Sequence, residues 1–75
     1  MPPMTVPALL RELDGNSVSA RHWSLVALES FTNEAAAIVP AIVRALEDED
    51  GGVRQAATNA LKKIDPEAAA RAGVK

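Results

Sequence analysis

The sequence of 75 residues contains no cysteine, one histidine and only two aromatic residues, and these shortages exclude several classes of protein. Without cysteine the chain can form neither a disulfide nor a thiolate metal site. The single imidazole of His22 is too few for a histidine-built metal centre, so no metal or other cofactor is expected. Burial in so short a chain gives marginal stability, and association with other chains is the usual remaining source of burial.

The sequence also lacks a large excess of either charge and lacks long apolar runs. Eight basic and ten acidic residues give a net charge of -2, which disfavours binding to nucleic acid or to an anionic membrane surface. The longest uncharged apolar stretch, residues 35–43, is far shorter than the roughly 20 residues that span a bilayer. The N-terminus has no basic segment followed by an apolar one, so no secretory signal is expected and a cytoplasmic location is the default.

What the sequence does contain is an internal repeat with a period of 33 residues. The segment 6–13 returns as 39–46, and Arg21 returns as Arg54. A period in this range is typical of stacked repeat arrays. In each copy, apolar residues follow the i, i+3, i+4, i+7 spacing of an amphipathic helix, and a second apolar-striped helix comes after a turn. Each copy is therefore predicted to be a helical hairpin.

The predicted fold is all-α, an α-α superhelix of two helical hairpins with a short fifth helix at the C-terminal end. Capping and turn residues place helices near residues 6–14, 18–31, 33–47, 52–64 and 66–72. Pro40 lies inside the third helix and should kink it or make it restart, because proline lacks an N–H group and clashes with the preceding turn. We expect a single domain over residues 1–75, with repeats at about 6–38 and 39–71 and a partial capping helix at 66–72.

The second copy resembles a bacterial HEAT or HEAT-like repeat of the armadillo-like superfamily. It has an apolar helix with Pro40, an acidic turn at residues 47–50, and a Val53-Arg54 pair that opens an alanine-rich helix. The resemblance extends over residues 6 to about 72. It implies a right-handed helical solenoid whose second helices line a concave surface and bind other proteins.

The same resemblance implies a structural role for two arginines. Arg21 and Arg54 occupy equivalent positions at the start of the second helices. In HEAT-like repeats this arginine reaches toward acidic groups of the turns between helices, which here would be Asp14, Asp48 or Asp50. A ladder of charged hydrogen bonds between the two units is therefore expected.

No catalytic or metal chemistry is predicted. Trp23 falls at the edge of the core stripe and should be buried, whereas His22 should face solvent. No serine or carboxylate is placed by its spacing to make His22 a general base, so the chain is not expected to be an enzyme. The acidic run 47–50 lacks the spacing of a calcium-binding loop, and we interpret it as a helix cap and a solvated turn.

The second helix of the first copy is apolar on its outer face as well as on its inner one. Val18, Leu25 and Val26 stand where the second copy has glycine, threonine and asparagine. A helix that is apolar all round is normally buried on more than one side. We predict that these residues and His22 form an interface with a second copy of the chain or with a partner protein; cover by residues 1–5 is the alternative. The apolar stripe of the first helix also has little before it in the chain to cover it, which favours self-association.

These features predict a non-catalytic protein–protein interaction or scaffold module that forms a homo-oligomer or joins a larger assembly. The alternative is a fragment or accessory domain of a larger HEAT-like protein that assists an enzyme or resembles a chromophore lyase. Nucleic-acid binding is a third hypothesis, but it rests on Arg54, Lys62 and Lys63 alone. The protein partner is not specified by the sequence.

Overall fold

A computed structural model describes residues 5–74, which contain five α-helices and no β-strand. The elements are α1 (Val6–Leu13), α2 (Val18–Leu28), a 3₁₀ turn (Thr32–Glu34), α3 (Ala35–Ala45), α4 (Gly51–Ile64) and α5 (Pro66–Arg71). The prediction of an all-α fold with two helical hairpins, α1–α2 and α3–α4, and a short fifth helix is confirmed.

Side-chain caps determine where four of the helices begin. Thr5, Ser17, Asp50 and Asp65 precede α1, α2, α4 and α5, and each accepts a hydrogen bond from the backbone N–H three residues later. The donor-to-acceptor distances lie between 2.9 and 3.3 Å. Each cap satisfies a backbone donor that the first turn of a helix leaves without a partner, so the helix starts are encoded locally.

Two helices end or continue differently from the prediction. The helix α2 ends at Leu28 rather than at residue 31, because the N–H groups of Ser30 and Phe31 bond to carbonyls only three residues back, at 3.2 and 3.0 Å. The helix α3 runs through Pro40 as one element, so the expectation of a restart is wrong, while a kink at Pro40 stays a prediction. Pro40 and Ala36 are both exposed, and water can therefore reach the Ala36 carbonyl that the missing proline N–H would have satisfied.

The helices form two layers, with α1 beside α3 and α2 beside α4. The core lies between the layers, and its fully buried large side chains are Leu25, Leu28, Ile38, Ile42, Val53 and Leu61. Val6, Leu9 and Leu13 of α1 are also buried, with α2 packed against α1 and α3 beside it. The expectation that the stripe of α1 lacks cover is therefore wrong.

The helix α5 packs on α4 and opens a third copy of the repeat, which departs from the first two at Gly73. The N–H groups of Val74 and Gly73 donate to the carbonyls of Ala69 and Ala70 at 3.0 and 3.1 Å, and Gly73 has a φ of 78°. This Schellman arrangement ends a helix and needs the left-handed backbone that glycine adopts without strain. The chain thus turns at Gly73, whereas α3 continues at the matching Pro40.

No single helix among residues 5–74 has the length and apolar character needed to cross a bilayer. Only the combined segments 18–28 and 32–45 pass a test of length and composition, and they are bent by 99° at the break between them.

Candidate functional site

The side chain of Arg21 joins the two helical hairpins. Its Nε and Nη2 atoms donate to the two carboxylate oxygens of Asp48 at 2.9 and 3.3 Å, and its Nη1 donates to the carbonyl of Gly15 at 2.9 Å. Both side chains of the ion pair are only 12% exposed, so water screens the contact weakly. A charged hydrogen bond of this kind contributes about 1.5–3 kcal/mol to stability. Arg21 therefore fixes α2 against the turn between α3 and α4.

The turn itself prepares Asp48 for this contact. The backbone N–H of Asp50 donates to Oδ1 of Asp48 at 2.9 Å. This hydrogen bond, followed by the hydrogen bond and charge of Arg21, holds the pKa of Asp48 below its ordinary value despite the opposing effect of partial burial. Asp48 is therefore a carboxylate at neutral pH, in the state that binds a guanidinium.

Arg54 reproduces only part of the arrangement of Arg21. Its Nη1 donates to the carbonyl of Asp48 at 2.7 Å, across the same six-residue step that separates Arg21 from Gly15. Within residues 5–74, no carboxylate lies within salt-bridge distance of Arg54, and its side chain is exposed. Of the other two acidic candidates, Asp50 caps α4 and Asp14 is exposed at the end of α1.

The outer side of α2 carries most of the large exposed apolar area in the described chain. Trp23 is 65% exposed, Val18 42% and Val26 37%. The ring of His22 lies 5.1 Å from that of Trp23, with the two planes tilted by 39°. We call Val18, His22, Trp23 and Val26 the α2 face. The only charged residue of α2 is Arg21, which is turned toward Asp48, so this face carries no charged side chain.

Several predictions about α2 are wrong, and all for related reasons. Trp23 is exposed rather than buried, and Leu25 is fully buried rather than part of an interface. In α4 the residue matching Trp23 is Ala56, which is buried because α2 packs on that side, but no hairpin among the described residues precedes α1–α2 to cover Trp23 in the same way. The side of α2 that holds Leu25 is the covered one, because α1 and α4 pack against it. His22, which was expected to face solvent, is partly exposed.

The alternative cover for the α2 face, a fold-back of residues 1–5, lies outside the described residues except for Thr5. The size of Trp23 is the sequence feature that could have predicted its exposure. An indole stands at a position where the other copy of the repeat tolerates only a methyl group, and such a difference between copies indicates a different environment.

Three of the remaining charged candidates, Lys63, Asp48 and Asp50, make structural contacts. Lys63 of the small basic cluster is 3.0 Å from Glu29, which offsets its charge. In the acidic run, Asp48 binds Arg21 and Asp50 caps α4. Among residues 5–74, no three histidine, aspartate or glutamate side chains are grouped so as to hold a metal ion.

Comparison with known proteins places the chain in a repeat family. A family model described as HEAT repeats matches residues 6–72, a segment that includes both hairpins and α5. No curated protein and no solved structure gives a significant match. HEAT repeats generally mediate protein–protein interaction. With the sequence period, the paired helices and the match over nearly its whole length, the chain belongs to the HEAT-repeat family.

Proposed function

We propose that this protein is a non-catalytic scaffold module that binds protein through the α2 face and associates there with a second copy of itself. The exposed indole of Trp23 carries the proposal. Tryptophan is among the residues that contribute most binding energy at protein interfaces, where surrounding apolar side chains exclude water from it. Val18 and Val26 add exposed apolar area to the α2 face.

A second copy suits the α2 face because the face is neutral. In a two-fold interface the same patch meets itself, so a charged patch would meet its own charge. Trp23 is the central residue of α2, five positions from each end. Two antiparallel copies of α2 that cross at Trp23 would therefore bring the indoles together, with the start of each helix near the end of the other.

The repeat itself does not require an apolar face at these positions. In α4, the residues matching His22 and Val26 are Gln55 and Asn59, both exposed and joined by a hydrogen bond of 3.2 Å. The second copy thus shows that polar residues are compatible with the fold on this side. The apolar character of the α2 face is a property of the first copy, which supports a role in binding.

The proposed absence of catalysis is supported by the use of the polar groups near the α2 face. The hydroxyl of Ser24, the buried polar side chain of α2, donates to the Ala20 carbonyl at 2.6 Å. The guanidinium of Arg21 is occupied by Asp48 and Gly15. Neither group is left to act on a substrate, and His22 has an indole rather than a base or nucleophile as its ring partner.

The test is the dependence of mass on concentration for the full chain and for Trp23→Ser. Sedimentation equilibrium should show a dimer for the parent chain. Trp23→Ser should raise the dissociation constant of that dimer by roughly 30-fold or more, because a central aromatic contact is lost. The emission of this sole tryptophan should shift to shorter wavelength as the parent chain associates.

The matched control is Val43→Ser, which changes another exposed valine, 40% accessible, on α3. This variant should dimerise like the parent chain. A parent chain that stays monomeric up to millimolar concentration, or a dimer that Val43→Ser weakens as much as Trp23→Ser, would contradict the proposed interface. Circular dichroism checks that both variants keep their helices.

A further inference from the structure

The side chains of the two matched arginines, Arg21 and Arg54, each donate a hydrogen bond to the backbone carbonyl six residues earlier. Arg21 Nη1 bonds to the carbonyl of Gly15 at 2.9 Å, and Arg54 Nη1 bonds to the carbonyl of Asp48 at 2.7 Å. Gly15 and Asp48 are themselves matched positions, 33 residues apart. The local geometry that aims one guanidinium is therefore present for the other.

The two guanidinium groups differ in the contacts that their remaining N–H donors make. The remaining donors of Arg21 hold the carboxylate of Asp48, which belongs to the turn of the next hairpin. The same 33-residue step applied to Arg54 requires a carboxylate from the turn of a hairpin stacked on α3–α4. Among residues 5–74 nothing supplies that carboxylate, since the ion pairs there join other groups.

The second hairpin also exposes, near Arg54, the surface that in the first hairpin is covered by α3–α4. On the first hairpin, Leu25 is buried and Leu10 partly buried, with α3–α4 stacked on that side. Their matches on the second hairpin are Thr58, which is half-buried, and Val43, which is 40% exposed. Both line a groove of about 750 Å³ that α3 and α4 form with residues 72–74. We call the groove residues Val43, Leu46 and Thr58, together with Arg54 about one helical turn before Thr58 in α4, the open edge.

We infer that the open edge docks a helical hairpin of another protein whose inter-helix turn carries an aspartate or glutamate. Arg54 holds that carboxylate as Arg21 holds Asp48. The partner is a hairpin because a hairpin covers the matching surface of the first repeat, and its turn is acidic because the guanidinium of Arg54 is already anchored and exposed. This docking surface is separate from the α2 face and goes beyond the proposed self-association.

A second copy of the chain is a poorer occupant of the open edge. If it stacked in register as a third hairpin, its Gly15 would take the place of Asp48, and no carboxylate would meet Arg54. Its Trp23 would also stand where α4 presents the small Ala56 to the preceding hairpin. The required occupant has the features of α3–α4 rather than those of α1–α2.

The test supplies an occupant of this chemistry covalently. Residues 39–71 are inserted a second time after Arg71 in the full chain, so that the added hairpin follows α5 in register and its copy of Asp48 faces Arg54. Arg54→Lys and the change of the added aspartate to asparagine are made singly and together, all in the Trp23→Ser background. That background removes association through the α2 face, so the two proposals can fail separately.

Urea unfolding followed by circular dichroism should give a coupling between the two changes of about tenfold in the unfolding equilibrium constant. Arg44→Lys, on another exposed arginine at the groove, is the control and should show no coupling with the added aspartate. A helical added hairpin without coupling would overturn the role of Arg54. If hydrogen exchange showed that the backbone amides of the added hairpin exchange as fast as in an unfolded chain, the hairpin would not be docked and the proposed docking surface would be overturned. Dimerisation of the unextended parent chain that Arg54→Lys abolishes and Trp23→Ser does not would show that a second copy occupies the edge, against the proposal.

Discussion

At the residue scale, the surroundings of a side chain decide its role more than its type or its local geometry does. Arg21 and Arg54 share their repeat position and their backbone anchor. Only Arg21 is followed by a hairpin that offers a carboxylate, and its pair with Asp48 is shielded from water. The same residue is therefore a structural link in one copy and an available binding group in the other.

This difference predicts unequal effects of the same substitution. Arg21→Lys should lower the free energy of unfolding by about 1.5–3 kcal/mol, because a lysine cannot bind both oxygens of Asp48 and the carbonyl of Gly15 at once. Arg54→Lys, at an exposed position, should change it by less than about 0.5 kcal/mol. Urea unfolding of the two variants measures the difference. Equal losses would mean that Arg54 already has a strong partner within the chain.

The lowered pKa of Asp48 predicts how stability depends on pH. A carboxyl whose pKa is lower in the folded chain than in the unfolded chain contributes stability above its ordinary pKa, and loses it as the pH falls through the lowered value. The parent chain should therefore lose stability below about pH 4 more steeply than Asp48→Asn, which is already less stable at pH 7. Unfolding free energies measured between pH 7 and pH 2 test this. Parallel curves for the parent and Asp48→Asn would refute the prediction.

At the scale of the element, α2 is a helix with two apolar sides that have different uses. One side packs Leu25 and Leu28 into the core, where α1 and α4 cover it. The other side presents the α2 face to solvent. In α4 the residues matching His22 and Val26 are the polar and exposed Gln55 and Asn59, and the apolar side of that helix is directed at α2 and the core. The helix α2 therefore differs from its counterpart α4 in having a second, exposed apolar side.

The two sides of α2 can be separated by substituting adjacent residues. Leu25→Ala should lower the free energy of unfolding by about 2–5 kcal/mol, because it leaves a cavity in a fully packed site. Val26→Ala should cost less than about 1 kcal/mol in the monomer, because Val26 is already 37% exposed. Thermal unfolding of both variants in dilute solution provides the comparison. A larger loss for Val26→Ala than for Leu25→Ala would show that the assignment of the two sides is reversed.

At the scale of the whole molecule, the fold is a thin stack of helices with Cα extents of 35 × 28 × 14 Å. Two hairpins and α5 leave one side of the first hairpin and one side of the second without a neighbouring hairpin among residues 5–74. Repeat arrays gain stability from contacts between adjacent units, so sides without a neighbour are available for other proteins. The α2 face and the open edge lie on these different parts of the stack, so the two proposed interactions do not compete for one surface.

The sequence by itself determined the five helices, the starts of the four that carry a side-chain cap, and the family. These features depend on interactions within a few residues: apolar spacing along one helix, and caps such as Ser17 and Asp50 that bond three residues ahead. The 33-residue period then identified the two hairpins, since matched segments fold alike. None of this requires knowledge of which elements meet in space.

The tertiary structure alone decided which sides of these helices are covered. Trp23 and Ala56 occupy the same position in the two copies, yet one is exposed and the other buried, and only one of three candidate aspartates binds Arg21. A repeat pattern describes a unit as if it had a neighbour on both sides. The first and last units each lack one of those neighbours within the described chain, and burial, which depends on contacts between units, changes there.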